Sequence, residues 1–172
     1  EGLGTKVESD SKIVVQIHYS MASSGARPDK TAIEFKLDDD AEEFSSFPIA
    51  NPAWLVDDAM RMPAGEDDVV YEYQFRPGLY TQNKTVEMHS VTPHMHELGS
   101  QIIVGVVRKD GTKDCLLEIP AWDFGWEQPY WFEEPIELHR GDEIYLECHF
   151  DNTRENQPLE NGAHAEPRDV AW

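Results

Sequence analysis

The sequence predicts an all-β protein, an antiparallel, jelly-roll-like β-sandwich with few or no helices. Apolar residues recur at every second position in several short segments, which is the period of a half-buried strand and not that of a helix. Turn-forming residues separate these segments roughly every ten residues. Because no long amphipathic helical pattern lies between them, a sandwich of about seven to nine short strands is the expected architecture.

The first strands are predicted near the beginning of the chain. Ile13, Val15 and Ile17 alternate with a set of positions that is less apolar as a whole, which predicts a strand over residues 13–19. The less apolar face of that strand carries Val14, Gln16 and His18. Residues 32–37 alternate less cleanly and are also interpreted as a strand. Residues 38–46 are acidic and small, and this composition indicates a linker or an exposed loop.

The later strands are predicted between turn signals such as Pro63-Ala64-Gly65, Lys109–Thr112 and Arg140-Gly141-Asp142. The segment 120–131 is rich in aromatic side chains. The tail 151–172 is polar, contains two prolines and is expected to be mostly loop. The predicted strand segments are 69–75, 84–91, 102–107, 115–119 and 144–150.

Composition excludes several classes of partner. The formal net charge is -20, which argues against nucleic acid and against anionic membrane surfaces, since both attract positive charge. No apolar run reaches the roughly 18 residues of a membrane span, so no membrane span is expected. Cys115 and Cys148 are the two cysteines, and the sequence leaves open whether they pair.

The segment Thr92–Gly99 carries the chemistry. It contains His94-Met95-His96, and on a strand residues two apart point to the same face, roughly 7 Å apart. Two imidazoles placed in this way can converge on one copper, zinc, iron or nickel ion, while Met95 points the other way into packing. At least one more ligand has to come from elsewhere, and two surface histidines are the alternative interpretation.

The other histidines have less support as ligands. His18 and His149 lie on the less apolar faces of their predicted strands. His89 precedes His94 by five residues, so it lies on the opposite face unless a bulge intervenes, which Pro93 makes plausible. His139 and His164 are interpreted as loop residues.

Several motifs, in order, resemble the type II copper, ascorbate-dependent monooxygenases, the family of peptidylglycine α-hydroxylating monooxygenase and dopamine β-monooxygenase. The similarity covers about residues 12–153. The motifs that carry it are Gln16-Ile17-His18-Tyr19, Pro63-Ala64-Gly65, His94-Met95-His96-Glu97-Leu98-Gly99, Tyr130-Trp131-Phe132, Gly141-Asp142 and Cys148.

The resemblance implies two β-sandwich halves with one copper each. One copper supplies an electron from a three-histidine site, and the other, on two histidines and a methionine, binds O₂ and abstracts a substrate hydrogen. By this similarity His94 and His96 match the oxygen-activating site and His18 the electron-transfer site. Residues 1–40 would then be the final strands of the N-terminal half, and residues 41–172 the C-terminal half.

The sequence also departs from the family pattern. The resemblance places a histidine pair upstream of this chain, and the methionine ligand in a segment beyond Trp172, beside a cysteine that bonds to the counterpart of Cys148. None of the five methionines lies after Met95. We therefore expect the missing parts of the family core to come from a longer chain. The peptide and dopamine substrates of the family are not assigned to this protein.

Three functions are compatible with the sequence. The first is copper-dependent hydroxylation of a small organic substrate with O₂ and an ascorbate-like reductant, in a secreted, periplasmic or cell-surface setting. The second is a non-catalytic copper-binding module on the same scaffold. The third is a carbohydrate- or protein-interaction sandwich that uses the aromatic side chains of residues 122–131. No catalytic residue is assigned beyond the metal ligands.

Overall fold

The structure is a computed structural model that describes residues 2–17, 30–56, 58–160 and 162–171. The chain separates into two compact units, Glu1–Pro48 and Ile49–Trp172. In the described part of the first unit, β1 (Leu3–Gly4) pairs in parallel with β2 (Glu42–Glu43). The assignment of residues 1–40 to a preceding half-domain stays a prediction.

Two strands predicted in the first unit are wrong where the structure describes them. Residues 13–17 of the predicted strand 13–19, and all of residues 32–37, form no strand. Both faces of these segments are exposed, with Val14 87% and Leu37 87% accessible. Alternation shows which face a strand would bury, but a strand also needs a partner for its backbone groups. His18 lies outside the described residues.

The second unit is nearly all β, as predicted. Its larger sheet is antiparallel with the strand order β4-β9-β6-β7, and a second antiparallel sheet pairs β5 with β8. The strands are β3 (Arg61–Met62), β4 (Val69–Phe75), β5 (Val86–Val91), β6 (Gly99–Val107), β7 (Lys113–Ile119), β8 (Tyr130–Leu138), β9 (Glu143–Phe150), β10 (Leu159–Glu160), β11 (Ala163–His164) and β12 (Val170–Ala171).

The main core lies between the two sheets. Inward residues of the larger sheet meet Leu138 of β8 and the half-buried Val86 and Met88 of β5. Each fully buried aliphatic side chain of this size contributes about 1.5–3 kcal/mol relative to exposure. The two sheets therefore form a sandwich held by side chains from both layers. The buried members of this core are Phe75, Val104, Val106, Leu138 and Ile144.

A second core cluster closes one end of the sandwich. Met62 of β3 and Phe150 of β9 are buried there together with Met95, which comes from the loop between β5 and β6. β12 pairs with β3, with Val170 opposite Met62. Asn152 is fully buried and donates from Nδ2 to the carbonyl oxygens of Met62, Pro63 and Arg168. This amide joins the end of the described chain to β3.

The pairing of β5 with β8 is irregular. Between the pairs Met88–Ile136 and Ser90–Trp131, one residue of β5 faces a longer insert in β8. Pro135 lies in that insert, where the missing backbone N–H removes no ladder bond. The sequence did not predict β8 as a strand, and a proline inside the segment is one reason. His89 is the residue of β5 at which the register of the pairing shifts.

The two cysteines are unpaired in the structure. Cys148 is buried in the second core cluster, whereas Cys115 is exposed on β7. β6 lies between the strands that carry them, so their backbones are about two strand spacings, or roughly 9–10 Å, apart. A disulfide requires Cα atoms within about 7 Å, so this arrangement excludes one.

Helices are short. The described residues contain two 3-10 helices, Pro52–Leu55 and Pro77–Leu79. In this part of the chain no helix combines the length and the apolar character that crossing a membrane would need. The tail after β9 is mostly loop, as predicted, interrupted by the two-residue strands β10, β11 and β12.

Candidate metal centre

The H-x-H motif lies in the loop between β5 and β6, and not on a strand as predicted. β5 ends where Val91 pairs with Tyr130, and residues 92–96 have no strand partner. Pro93 is a physical reason for this ending, because it cannot donate a ladder hydrogen bond. The chain turns at Glu97 and Leu98 and enters β6 at Gly99.

Side chains of this loop alternate in burial as they would on a strand. Pro93 and Met95 are buried, while the His94 side chain is 62% exposed and His96 is half-buried. The imidazole rings of His94 and His96 lie 5.1 Å apart between centroids, with planes inclined by 82°. The expected common side for the two histidines is confirmed, and so is the packing role of Met95, which is 4% exposed in the second core cluster.

Gly99 allows the buried side of this loop to pack closely against its neighbours. A Cβ atom at Gly99 would lie 2.9 Å from both Met95 Cε and Trp122 Cδ1, and 3.1 Å from the carbonyl oxygen of His96. Such distances are shorter than van der Waals contact, so a larger side chain would displace its neighbours. Because residue 99 has no side chain, the indole of Trp122 can pack directly against the backbone at the end of the histidine loop.

A second loop, Pro120–Pro129 between β7 and β8, contacts both histidines. The carboxylate Oε1 of Glu127 lies 2.8 Å from His94 Nδ1. The ring of Phe124 lies edge-on to His96, with 6.0 Å between centroids. Sequence reasoning missed Glu127, because it is 33 positions from His94 and one of many carboxylates in the chain. No local signal distinguishes it.

The pKa of His96 is lowered. Burial of the ring disfavours the charged form, and so does the neighbouring His94, while Glu127 and Glu97 act in the opposite direction. A lowered pKa favours the neutral imidazole at physiological pH. The neutral form is the one that binds a metal ion.

The donor set fits part of a copper site. Two imidazoles on one side of a loop supply two of the nitrogen donors that copper accepts. Within residues 2–17, 30–56, 58–160 and 162–171, no group of three or more His, Cys, Asp or Glu side chains is arranged to hold a metal ion. Burial raises the pKa of Cys148 to about 11, so this nearby thiol is a poor ligand at neutral pH. His94 and His96 are therefore suited to provide two ligands of such a site, and the described residues supply no third of these types.

The other histidines of the second unit do not join this pair. His149 is held on the outer face of β9 by Asp68 and Glu147, at 2.7 and 2.9 Å. His89 occupies the bulge of β5, 3.6 Å from a carboxylate oxygen of Glu87. His139 lies in a loop, as predicted, and His164 belongs to the short strand β11.

An open groove of about 600 Å³ lies beside the histidine pair. Glu97, which follows His96, forms one part of its lining, and Phe124, which contacts His96, forms another. No cationic side chain is found among the described residues that line it. The complete lining is Glu97, Ala121, Trp122, Asp123, Phe124, Asn156 and Pro158.

Fold and site together define an antiparallel β-sandwich domain that presents a pair of imidazoles from the loop between two of its strands. The sequence model of the "Copper type II ascorbate-dependent monooxygenase, C-terminal domain" matches residues 56–167, which is well over half of the chain. The chain belongs to this family. A search of curated proteins finds no match.

Proposed function

We propose that the second unit is the oxygen-activating half of a copper monooxygenase that hydroxylates a small organic substrate. The observation that carries this proposal is the His94–His96 pair, with ring centroids 5.1 Å apart, within the segment that matches the family. The exposed side of the loop leaves this pair accessible to a metal ion and to further ligands. The buried side, anchored by Met95, keeps the two rings together.

Each residue of the site has a defined task in this proposal. His94 and His96 donate neutral ring nitrogens, and the lowered pKa of His96 keeps a proton from competing for that position. When bound, copper supplies O₂ activation for cleavage of a substrate C–H bond. Trp122 and Met95 support the histidine loop from below, and Phe124 shields one edge of His96 from water.

The groove beside His96 is proposed to bind the substrate. Its aromatic side chains offer apolar contact, and Glu97 and Asp123 offer hydrogen-bond acceptors. Carboxylates without a neighbouring cation repel an anionic ligand, so the substrate is expected to be neutral or cationic. His18 is proposed as a ligand of the electron-transfer copper, with the rest of that site coming from a longer chain. A secreted, periplasmic or cell-surface location belongs to the same proposal.

A non-catalytic copper-binding module is the second candidate. It is favoured by one observation: His94 and His96 are not joined by a third His, Cys, Asp or Glu ligand within the described parts of the chain. Such a module would bind copper at the same two histidines without O₂ chemistry. The two candidates differ in turnover and not in the location of the metal.

Copper binding tests the shared part of both candidates. We expect purified protein loaded with Cu(I) to retain about one copper per chain, and His94→Ala and His96→Ala to lose it. His139→Ala is the matched control, because its side chain is 56% exposed against 62% for His94 and it lies on a different loop. Copper retained equally by all four proteins would contradict the assignment of the two histidines.

Oxygen uptake then separates the candidates. In a protein that also contains the electron-transfer copper site, and with copper, ascorbate and a substrate that has an activated C–H bond, the monooxygenase proposal expects O₂ consumption coupled to hydroxylated product. That consumption should fall to background in His94→Ala. Full copper binding without any product formation would overturn the monooxygenase proposal and favour the copper-binding module.

A further inference from the structure

Among the residues that the structure describes, Glu127 is the polar partner of the His94 ring. Its Oε1 lies 2.8 Å from His94 Nδ1, and its side chain is 31% exposed, whereas that of His94 is 62% exposed. A carboxylate accepts hydrogen bonds and has no proton to donate. The neutral His94 ring must therefore donate from Nδ1, which leaves the lone pair on Nε2.

This contact selects one form of the ring. Neutral imidazole carries its proton on either nitrogen, and the partner of one nitrogen decides which atom remains free to bind a metal. With Nδ1–H directed to Glu127, Nε2 is the free atom. The same contact also restricts rotation of an exposed ring, which otherwise has considerable rotational freedom.

The segment that carries Glu127 is itself ordered by local bonds. The Asp123 carboxylate accepts from the backbone N–H of Gly125 at 2.8 Å, and the Asp123 carbonyl accepts from the N–H of Trp126 at 2.9 Å. The N–H of Trp122 donates to the carbonyl of Ser100 on β6 at 2.8 Å. The start of the loop between β7 and β8 is thus fastened to β6, the strand next to β7, and Glu127 directly follows a hydrogen-bonded turn.

We propose that Glu127 is a positioning residue for the copper site. By accepting the hydrogen bond from Nδ1, Glu127 fixes the His94 ring so that Nε2 is free to bind the metal. The proposal rests on the proposed function, because it assigns a partner to one of the two copper ligands. A carboxylate on the far nitrogen of a metal-binding histidine orients the ring and makes it a better donor. Loss of such a partner typically lowers metal affinity about 10–100-fold.

The first test needs no copper. Long-range ¹H–¹⁵N NMR of the metal-free protein, at a pH where His94 is neutral, reports which ring nitrogen carries the proton. We expect Nδ1–H in the wild-type protein and in Glu127→Gln, whose amide oxygen still accepts, and a shift toward Nε2–H in Glu127→Ala. A wild-type ring with its proton on Nε2 would overturn the proposal.

The second test measures copper affinity by competition with a chelator. We expect Glu127→Ala to bind copper about 10–100-fold more weakly than the wild type, and Glu127→Gln to recover most of that loss. Glu133→Ala is the control, because it removes the same charge from an exposed position on β8. Affinity that is unchanged in Glu127→Ala, or lowered equally in Glu133→Ala, would overturn the proposal.

The two measurements separate failure of this proposal from failure of the proposed function. If the wild-type protein binds no copper at His94 and His96, the proposed function and the copper role of Glu127 both fall, whatever the NMR result. If copper binds and requires both histidines but is indifferent to Glu127, only the positioning role falls. The Nδ1–H form in the wild-type protein, together with weakened copper binding in Glu127→Ala, supports the positioning role.

Discussion

Gly99 is the residue on which the packing beneath the histidine pair depends. Its missing Cβ leaves room for Met95 and Trp122, and the carbonyl of His96 lies almost as close. These neighbours come from the histidine loop and from the loop between β7 and β8. A change at this position should therefore be transmitted to the imidazoles without altering any ligand.

We predict that Gly99→Ala destabilises the second unit and weakens copper binding. The added methyl group must displace buried atoms that now lie 2.9 Å away, and such overpacking typically costs about 1–3 kcal/mol. Urea unfolding monitored by tryptophan fluorescence gives the stability, and chelator competition gives the copper affinity. If Gly99→Ala is as stable as the wild type and binds copper with unchanged affinity, the packing of Met95 and Trp122 around residue 99 accommodates a methyl group and the prediction is wrong.

At the residue scale the sequence predicted only what depends on local alternation. Because burial alternates along residues 93–96, the common side of His94 and His96 and the inward position of Met95 followed from the sequence. Glu127 did not follow, since its position depends on how a distant loop folds back over the sheet. A bulge between His89 and His94 was anticipated as a possibility because of Pro93, whereas the irregularity in the pairing of β5 with β8 lies at His89 itself.

At the scale of elements, a partly buried ion pair joins two turns of the sandwich. Arg108, at the end of β6, donates to Asp142 at 2.9 Å, and Asp142 also accepts from the backbone N–H groups of His139 and Lys109. The pKa of Asp142 is lowered: burial acts to raise it, and the hydrogen bonds together outweigh burial. The β6–β7 turn is thereby tied to the β8–β9 turn.

We predict that Asp142→Asn costs more stability at neutral pH than in acid. A carboxyl whose pKa is lowered by folding stabilises the protein above its ordinary pKa of about 3.9, and that contribution is lost as the pH falls through the folded value. Removing a buried, charge-assisted set of hydrogen bonds costs about 1–3 kcal/mol. Urea unfolding at pH 7 and in strong acid gives the free energy of unfolding of both proteins, and the difference between variant and wild type should be smaller in acid. The same difference at both pH values would contradict the stabilising role of the charged Asp142 carboxylate.

Strands were predictable where alternation coincided with clear turns. The strand 69–75 has the predicted bounds, and the turns before β7 and β9 contain Gly111 and Gly141 with positive φ. Residues 13–17 and 32–37 show that alternation alone is insufficient, because a strand forms only against a partner. β8 was missed because its apolar positions are interrupted by Glu133, Glu134 and Pro135.

At the scale of the whole molecule, charge constrains the choice of ligand. The net charge of -20 gives the chain a negative field, and the groove beside His96 adds Glu97 and Asp123 to its lining. The groove was not predictable from sequence, because it combines residues from the histidine loop, the loop between β7 and β8, and the tail after β9. Their approach depends on the tertiary fold.

We predict that the groove discriminates against anions. For a matched pair of small substrates, an amide and the corresponding carboxylate, the amide should bind more tightly at low ionic strength. The difference should narrow as salt is added, since screening shortens the reach of exposed charges to about 10 Å at 0.1 M. Equal binding of the two compounds at low salt, or a preference for the carboxylate, would contradict the electrostatic argument.

The pairing of β3 with β12 has a consequence for the order in which the unit assembles. Val170 meets Met62, which lies more than a hundred positions earlier, so this contact requires the closure of a long loop. The adjacent strands β6 and β7, joined by a tight turn, can form first because their contacts are local. Met95 packs in the same cluster as Met62. We therefore expect the histidine loop to reach its final packing late in folding, once Val170 of this unit has paired with Met62.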